Sequence, residues 1–205
     1  MPKKFEKEFI SYCENQNLEV NPNQIKVIKK LEDYHNSNYK SFFSKLFSKQ
    51  KTKKGFYLYG GVGVGKTMIL NFFYDHLEEK KLKKHFNEFM LGFHDFVHEQ
   101  KEKNEENVIN QFVKNLKSKA SLVYFDEFQV TNIVDAMILG KLFEQIFKED
   151  IKIILTSNTK ISELYKEGLQ REQFIPFIKI MEDQSIEYEL KIEDDYRKSN
   201  DNQKQ

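Results

Sequence analysis

Two hydrophobic rhythms alternate along this chain. Short apolar runs bounded by polar or glycine-rich residues read as buried strands, and apolar residues recurring every three or four positions read as helices. Residues 55–59 (GFYLY), 121–127 (SLVYFDE) and 151–158 (IKIILTSN) are runs of the first kind. Residues 66 to about 84, 89 to about 101, 108–116 and 135–147 follow the second. A further strand is expected over residues 85–88, and 185–192 (SIEYELKI) alternates apolar and polar like an edge strand. Residues 161–181 are expected to form a helical turn and a helix broken near Pro176.

Upstream of the first strand the pattern is weaker. Residues 1–20 read as a polar helix or loop. At Asn21-Pro22 a helix start is marked, because Asn can cap and Pro is tolerated in the first turn. Ile25, Ile28 and Leu31 then recur at helical spacing. Residues 38–54 are basic and interrupted by serine, which suits a short helix and a solvated loop, or a patch that meets phosphates or a partner. The expected organisation is a polar extension over 1–20, one core over 21–197 and a disordered tail over 198–205. Strands alternating with helices predict an α/β fold, a parallel sheet covered on both faces. Ligands of such sheets bind at the carboxyl ends of the strands.

Composition narrows the class without choosing it. The chain has 205 residues, 39% hydrophobic and 32% charged, which suits one soluble globular domain with an ample core. With Lys+Arg 33 against Asp+Glu 32, the net charge of +1 does not mark a bulk nucleic-acid or membrane binder. Cys13 is the only cysteine, so no intramolecular disulfide forms, as in a reducing compartment. No apolar stretch approaches the ~20 residues that span a bilayer, and the N-terminal residues match neither a secretory signal nor a transit peptide. A cytoplasmic protein is expected.

The candidate chemistry falls at the predicted strand ends. Residues 60–67 (GGVGVGKT) fit G-x-x-x-x-G-K-[ST] between a strand and a helix. Gly60, Gly61, Val62, Gly63, Val64 and Gly65 would cradle phosphates with backbone N–H groups, aided by the positive end of the following helix. Lys66 would reach the β- and γ-phosphates of ATP, and Thr67 would ligate Mg²⁺. Asp126 closes an apolar strand, where a carboxylate can hold the Mg²⁺ shell, and Glu127 beside it can activate water. Asn158 ends another buried strand, where it could bond the attacking water or γ-phosphate, or cap the next turn; spacing allows both. Arg171, taken from pattern alone, is a solvated helix charge. His94 and His98 (HDFVH) sit one helical turn apart like a zincin pair, but the acid is Asp95 and no third ligand is apparent, so packed or polar histidines are expected.

Four segments in this order, GFYLYGGVGVGKTMILNFF, FNEFMLGFHDFVH, LVYFDEFQVTNIVDAMILGKLFEQIF and TSNTKISELYKEGLQREQFIPFI, closely resemble the ZapE-type cell-division ATPases and their mitochondrial AFG-one-like relatives. The resemblance runs from residue 21 to 197. It implies a three-layer AAA-type P-loop core, Mg²⁺-dependent ATP hydrolysis and a homo-oligomer with shared sites. By the same resemblance Glu127 is the water-activating base, Asn158 a sensor, Arg171 a finger reaching a neighbouring subunit, and Gln24 lies near the adenine. Implied partners are protein clients, an FtsZ-like division protein at the division site or targets of protein quality control. The chain departs from the family at Thr159, where TSNR is usual, leaving a charge missing or moved to Lys160, and at Asn87 in an FHEFM-like box. Relatives continue beyond residue 197 into a helical lid, which a chain ending at Gln205 is expected largely to lack. Alternative readings are a nucleotide-dependent binding module without efficient hydrolysis, a small-molecule kinase, and a helicase-loader-like ATPase whose basic residues Lys51, Lys53 and Lys54 would meet DNA.

Overall fold

In the computed structural model, residues 4–39, 52–100 and 104–192 are described. Most of the basic stretch 38–54, including Lys51, lies outside them, as does the expected tail. The elements are α1 (Lys4–Asn15), α2 (Pro22–Tyr39), β1 (Gly55–Tyr59), α3 (Lys66–Asp75), β2 (Lys81–His85), α4 (Phe86–Glu99), α5 (Glu105–Lys119), β3 (Leu122–Asp126), α6 (Ile133–Lys148), β4 (Lys152–Ser157), a 3₁₀ turn (Ile161–Glu163), α7 (Arg171–Gln184) and β5 (Ser185–Glu189).

The five strands form one sheet in the order β2-β3-β4-β1-β5, and every pair is parallel. The register aligns the carboxyl ends: Tyr59 pairs with Ser157 and with Glu189, and His85 with Asp126. Alternating side chains along the central strands feed two cores. Tyr57, Val123, Phe125, Ile153 and Leu155 pack under α4, α5, α6 and α7. Phe56, Leu58, Leu122, Tyr124 and Ile154 pack under α1, α2 and α3. The result is the three-layer α/β arrangement that the alternation predicts.

Three local expectations need correction. The segment read as a continuous helix to residue 84 ends at Asp75, and the second strand is Lys81–His85, four residues earlier than expected at its start. Its lysines hid it: β2 is an edge strand, where charge discourages pairing with other chains. Lys81 and Lys83 lay their ammonium groups over the rings of Tyr74 and Tyr124, 4.6 and 5.1 Å from the centroids. Pro176 does not break α7, which continues to Gln184. The N–H that proline lacks would have bonded the carbonyl of Glu172, and both residues lie on the exposed face, where that carbonyl is open to solvent.

Residues 4–15 are more than a polar segment. Phe5, Phe9 and Cys13 recur on one face of α1 and are buried. The Phe9 ring meets Phe72 of α3 edge-on at 5.0 Å, and Phe5 meets Phe73 at 5.4 Å. The spaced apolar residues among lysines and glutamates are an amphipathic stripe, and α2 and α3 together supply the surface that covers it.

Candidate nucleotide site

The parallel register brings three loops to one edge of the sheet. The loop after β1 runs from Gly60 into the first turn of α3, where Gly65 is the N-cap with φ +92°. Left-handed backbone at this point favours glycine. A Cβ on Gly65 would also stand 2.6 Å from Gln24 Nε2, the end of a side chain that would have to shift. A Cβ on Gly60 would fall 2.3 Å from the carbonyl oxygen of Leu190, just beyond β5. The glycines therefore let the loop pass close to two other parts of the core.

Lys66 is buried at the start of α3, and its Nζ donates to the carbonyls of Gly60 (2.8 Å) and Gly61 (2.7 Å) and to Asn158 Oδ1 (3.0 Å). These three acceptors match the three donors of an ammonium. Burial lowers the Lys66 pKa, and the charge of Asp126 works against that shift. Asp126 closes β3. Its Oδ1 accepts from Thr67 Oγ1 at 3.1 Å and from Thr156 Oγ1 at 2.7 Å. Beneath it, burial first and then the Asp126 charge push the Tyr124 phenol well above its ordinary range.

Glu127 follows with φ +55°, a left-handed conformation that non-glycine residues seldom adopt. Backbone in such regions is held by its surroundings and concentrates at functional sites. Here the Glu127 N–H donates to Thr156 Oγ1 at 3.0 Å, and the Phe128 N–H to the Thr156 carbonyl at 2.7 Å. Ser157 Oγ donates to the Phe128 carbonyl at 3.0 Å. The turn after β3 is thus tied to the end of β4 at three points.

A cavity of about 410 Å³ opens over this junction. Val62, Gly63, Lys66 and Thr67 line it from the glycine-rich loop, Glu127 and Gln129 from the β3 turn, and Thr156, Asn158 and Thr159 from β4. Its size suits a small ligand, and its loop presents backbone N–H groups at a helix N-terminus, as an anion requires. The donor set fits a triphosphate, and the hydroxyl–carboxylate pair of Thr67 and Asp126 offers the oxygen ligands that Mg²⁺ prefers.

Of the residues singled out from sequence, Val62, Gly63, Lys66, Thr67, Glu127 and Asn158 line the cavity, Asp126 reaches its edge through the bond to Thr67, and Gly60, Gly61, Val64 and Gly65 shape the loop without lining it. Gln24 and Arg171 do not line the cavity. Gln24 donates from Nε2 to the Val64 carbonyl at 3.1 Å, behind the loop, and its buried Oε1 has no hydrogen-bond partner. Arg171, the first residue of α7, donates from Nη2 to the Ser162 carbonyl at 2.9 Å. At the departure from TSNR, Thr159 contributes a neutral side chain, and its carbonyl accepts from Tyr57 Oη at 2.7 Å. The charge has not moved into the cavity on Lys160, whose ammonium lies 3.7 Å from Glu163.

His94 is held as a packed polar residue, 2.7 Å from Asp135 Oδ1. Among the described residues, no group of three or more His, Cys, Asp and Glu side chains could hold a metal ion. Thr156 is the residue that sequence reasoning passed over. Its signal was a polar Thr-Ser pair ending the mostly apolar run IKIIL.

The AFG1-like ATPase family model matches residues 12–205. This chain belongs to the AFG1-like ATPase family. It is 39% identical over 161 residues to lactation elevated protein 1 homolog B of Danio rerio, covering 74% of this chain and 32% of that protein. It is 37% identical over 132 residues to the cell division protein ZapE of Escherichia coli K12, covering 64% of this chain and 35% of ZapE. The chain therefore spans about a third of the length of these curated relatives. In fold it is similar to AMPPCP-bound DnaA from Aquifex aeolicus, with TM-score 0.56 and 16% identity over 87% of this chain and 49% of that one. The parallel sheet with flanking helices is thus the P-loop ATPase core, and the cavity lies at its carboxyl edge. Among the described residues, no helix is long and apolar enough to cross a membrane.

Proposed function

We propose that this chain hydrolyses ATP to ADP and phosphate with Mg²⁺, and that turnover drives the remodelling or regulation of a protein client. The observation that carries this reading is the convergence of Lys66, Thr67, Glu127 and Asn158 from three adjacent strand ends on one cavity, with Asp126 bonded to Thr67 at its edge. A phosphate chain entering the loop would meet its N–H groups and the N-terminus of α3, and Lys66 would trade its carbonyl acceptors for phosphate oxygens. Thr67 and Asp126 would hold Mg²⁺, which neutralises charge building on the phosphate oxygens. Glu127, on the open side of the cavity, would orient and deprotonate the attacking water, with Asn158 fixing the water or the γ-phosphate. A carboxylate in that place suits water better than a kinase acceptor.

The trans-acting role of Arg171 and the placement of Gln24 beside the adenine rest on the resemblance. The similarity to the cell division protein ZapE supports a client in division, with protein quality control as the other setting the resemblance implies.

The test pairs two variants. Glu127→Gln should bind ATP with an affinity near wild type and lose hydrolysis by about 10²-fold or more, in the range of a general base. Lys66→Ala should lose binding of a fluorescent ATP analogue. Wild-type turnover by Glu127→Gln would overturn the assignment of the base. A protein that binds ATP without turnover in either form would instead favour a nucleotide-dependent binding module.

A further inference from the structure

We infer that Thr156 is a positioning residue of the ATPase site, setting the candidate metal ligand and the candidate base at once through a single hydroxyl. The inference rests on the roles proposed above for Asp126 and Glu127.

The hydroxyl has one proton and two lone pairs. The backbone N–H of Glu127 can only donate, so it must take a lone pair of Thr156 Oγ1, which it does at 3.0 Å. The proton is then free for one acceptor, and Asp126 Oδ1 receives it at 2.7 Å. The same Oδ1 accepts from Thr67 Oγ1, the other candidate Mg²⁺ ligand. One atom of β4 is therefore bonded both to the carboxylate ending β3 and to the backbone of the residue after it.

Two features make the arrangement stiff. Thr156 is 2% exposed and Asp126 5%, so water competes little for these bonds. Threonine is also β-branched and restricted at χ1, and its strand is paired on both sides. Glu127 has the left-handed φ of +55°, so the bond to its N–H supports a conformation the residue would not choose alone. The hydroxyl fixes the carboxylate's rotamer and the backbone from which Glu127 enters the cavity. Outer residues of this kind orient ligands, and their loss costs about 10–100-fold in metal affinity or activity.

The experiment uses Thr156→Val, which keeps the shape and removes the hydroxyl, and Thr156→Ser, which keeps the hydroxyl. Three readouts are taken: binding of a fluorescent ATP analogue, Mn²⁺ binding to the ATP-loaded protein by electron paramagnetic resonance, and steady-state turnover. Thr156→Val should bind nucleotide within about threefold of wild type. Its Mn²⁺ affinity should fall about tenfold or more and kcat about 10–100-fold, with KM little changed. Thr156→Ser should regain most of both.

Wild-type Mn²⁺ affinity and turnover in Thr156→Val would overturn the inference. If Thr156→Val fails to fold, Thr156→Ala carries the same comparison. Equal losses in the Ala and Ser variants would overturn the inference too, since the hydroxyl would not be the group that matters. Glu127→Gln separates the two levels. Wild-type turnover there refutes the base, whereas an inactive Glu127→Gln beside a fully active Thr156→Val refutes only the role of Thr156.

Discussion

At the scale of single residues, the site depends on backbone that few side chains tolerate. Gly65 combines a φ of +92° with a contact to the end of the Gln24 side chain, which a Cβ would push aside. Alanine there would meet both obstacles. The left-handed conformation costs about 1–2 kcal/mol for a residue with a Cβ, and Gln24 would have to give up its bond to the Val64 carbonyl. Gly65→Ala is therefore expected to lower stability by at least about 1 kcal/mol in urea titrations and to abolish binding of a fluorescent ATP analogue. Adding Gln24→Ala should return only the steric part of the loss. Full recovery of binding in the double variant would show that contact, and not φ, dictates the glycine. Gln24 illustrates what spacing cannot supply: the NPNQ segment marked it, but only packing shows its amide gripping the loop from behind.

At the scale of elements, the largest change from the sequence reading concerns α1. A segment of lysines and glutamates reads as polar, yet its three buried side chains all lie on one helical face. Phe9 is fully buried and meets both Phe72 and Tyr12. Truncating a buried phenylalanine costs about 3–5 kcal/mol. Phe9→Ala should therefore destabilise the whole domain by an amount in that range, read from the shift in a single cooperative urea transition. A loss below about 1 kcal/mol, or a separate early transition, would show that α1 is an appendage. Strand β2 makes the converse point. Its lysines look like the end of a helix because an edge strand needs little apolar surface. Its identity comes from pairing with β3 in register from Lys81↔Leu122 to His85↔Asp126.

At the scale of the whole molecule, the question is whether one chain completes the site. Arg171 is held at the start of α7 by the Ser162 carbonyl and does not line the cavity of its own chain. A neighbour's Arg171 acting on this cavity is the arrangement the resemblance implies. Specific ATPase activity is then expected to rise with protein concentration. Arg171→Ala and Glu127→Gln, each inactive alone, should recover part of the activity when mixed, because each supplies what the other lacks. Constant specific activity across a hundredfold dilution, with no recovery on mixing, would identify a self-sufficient monomer.

Sequence alone determined the parallel α/β core, because buried strands write themselves as uninterrupted apolar runs and the intervening helices as a three-to-four-residue period. It also determined the phosphate loop, since glycine, lysine and threonine at that spacing answer a local demand for tight turns and N–H donors. Asp126, Glu127 and Asn158 were legible as polar residues at strand ends. Their meeting was decided only by strand order, which sets β4 between β3 and β1 and brings Asn158 to Lys66 across 92 residues of chain. The same order made Thr156 the hydroxyl that links Asp126 to Glu127. The local pattern marked only a polar strand end there, because what Thr156 does is defined by a neighbouring strand.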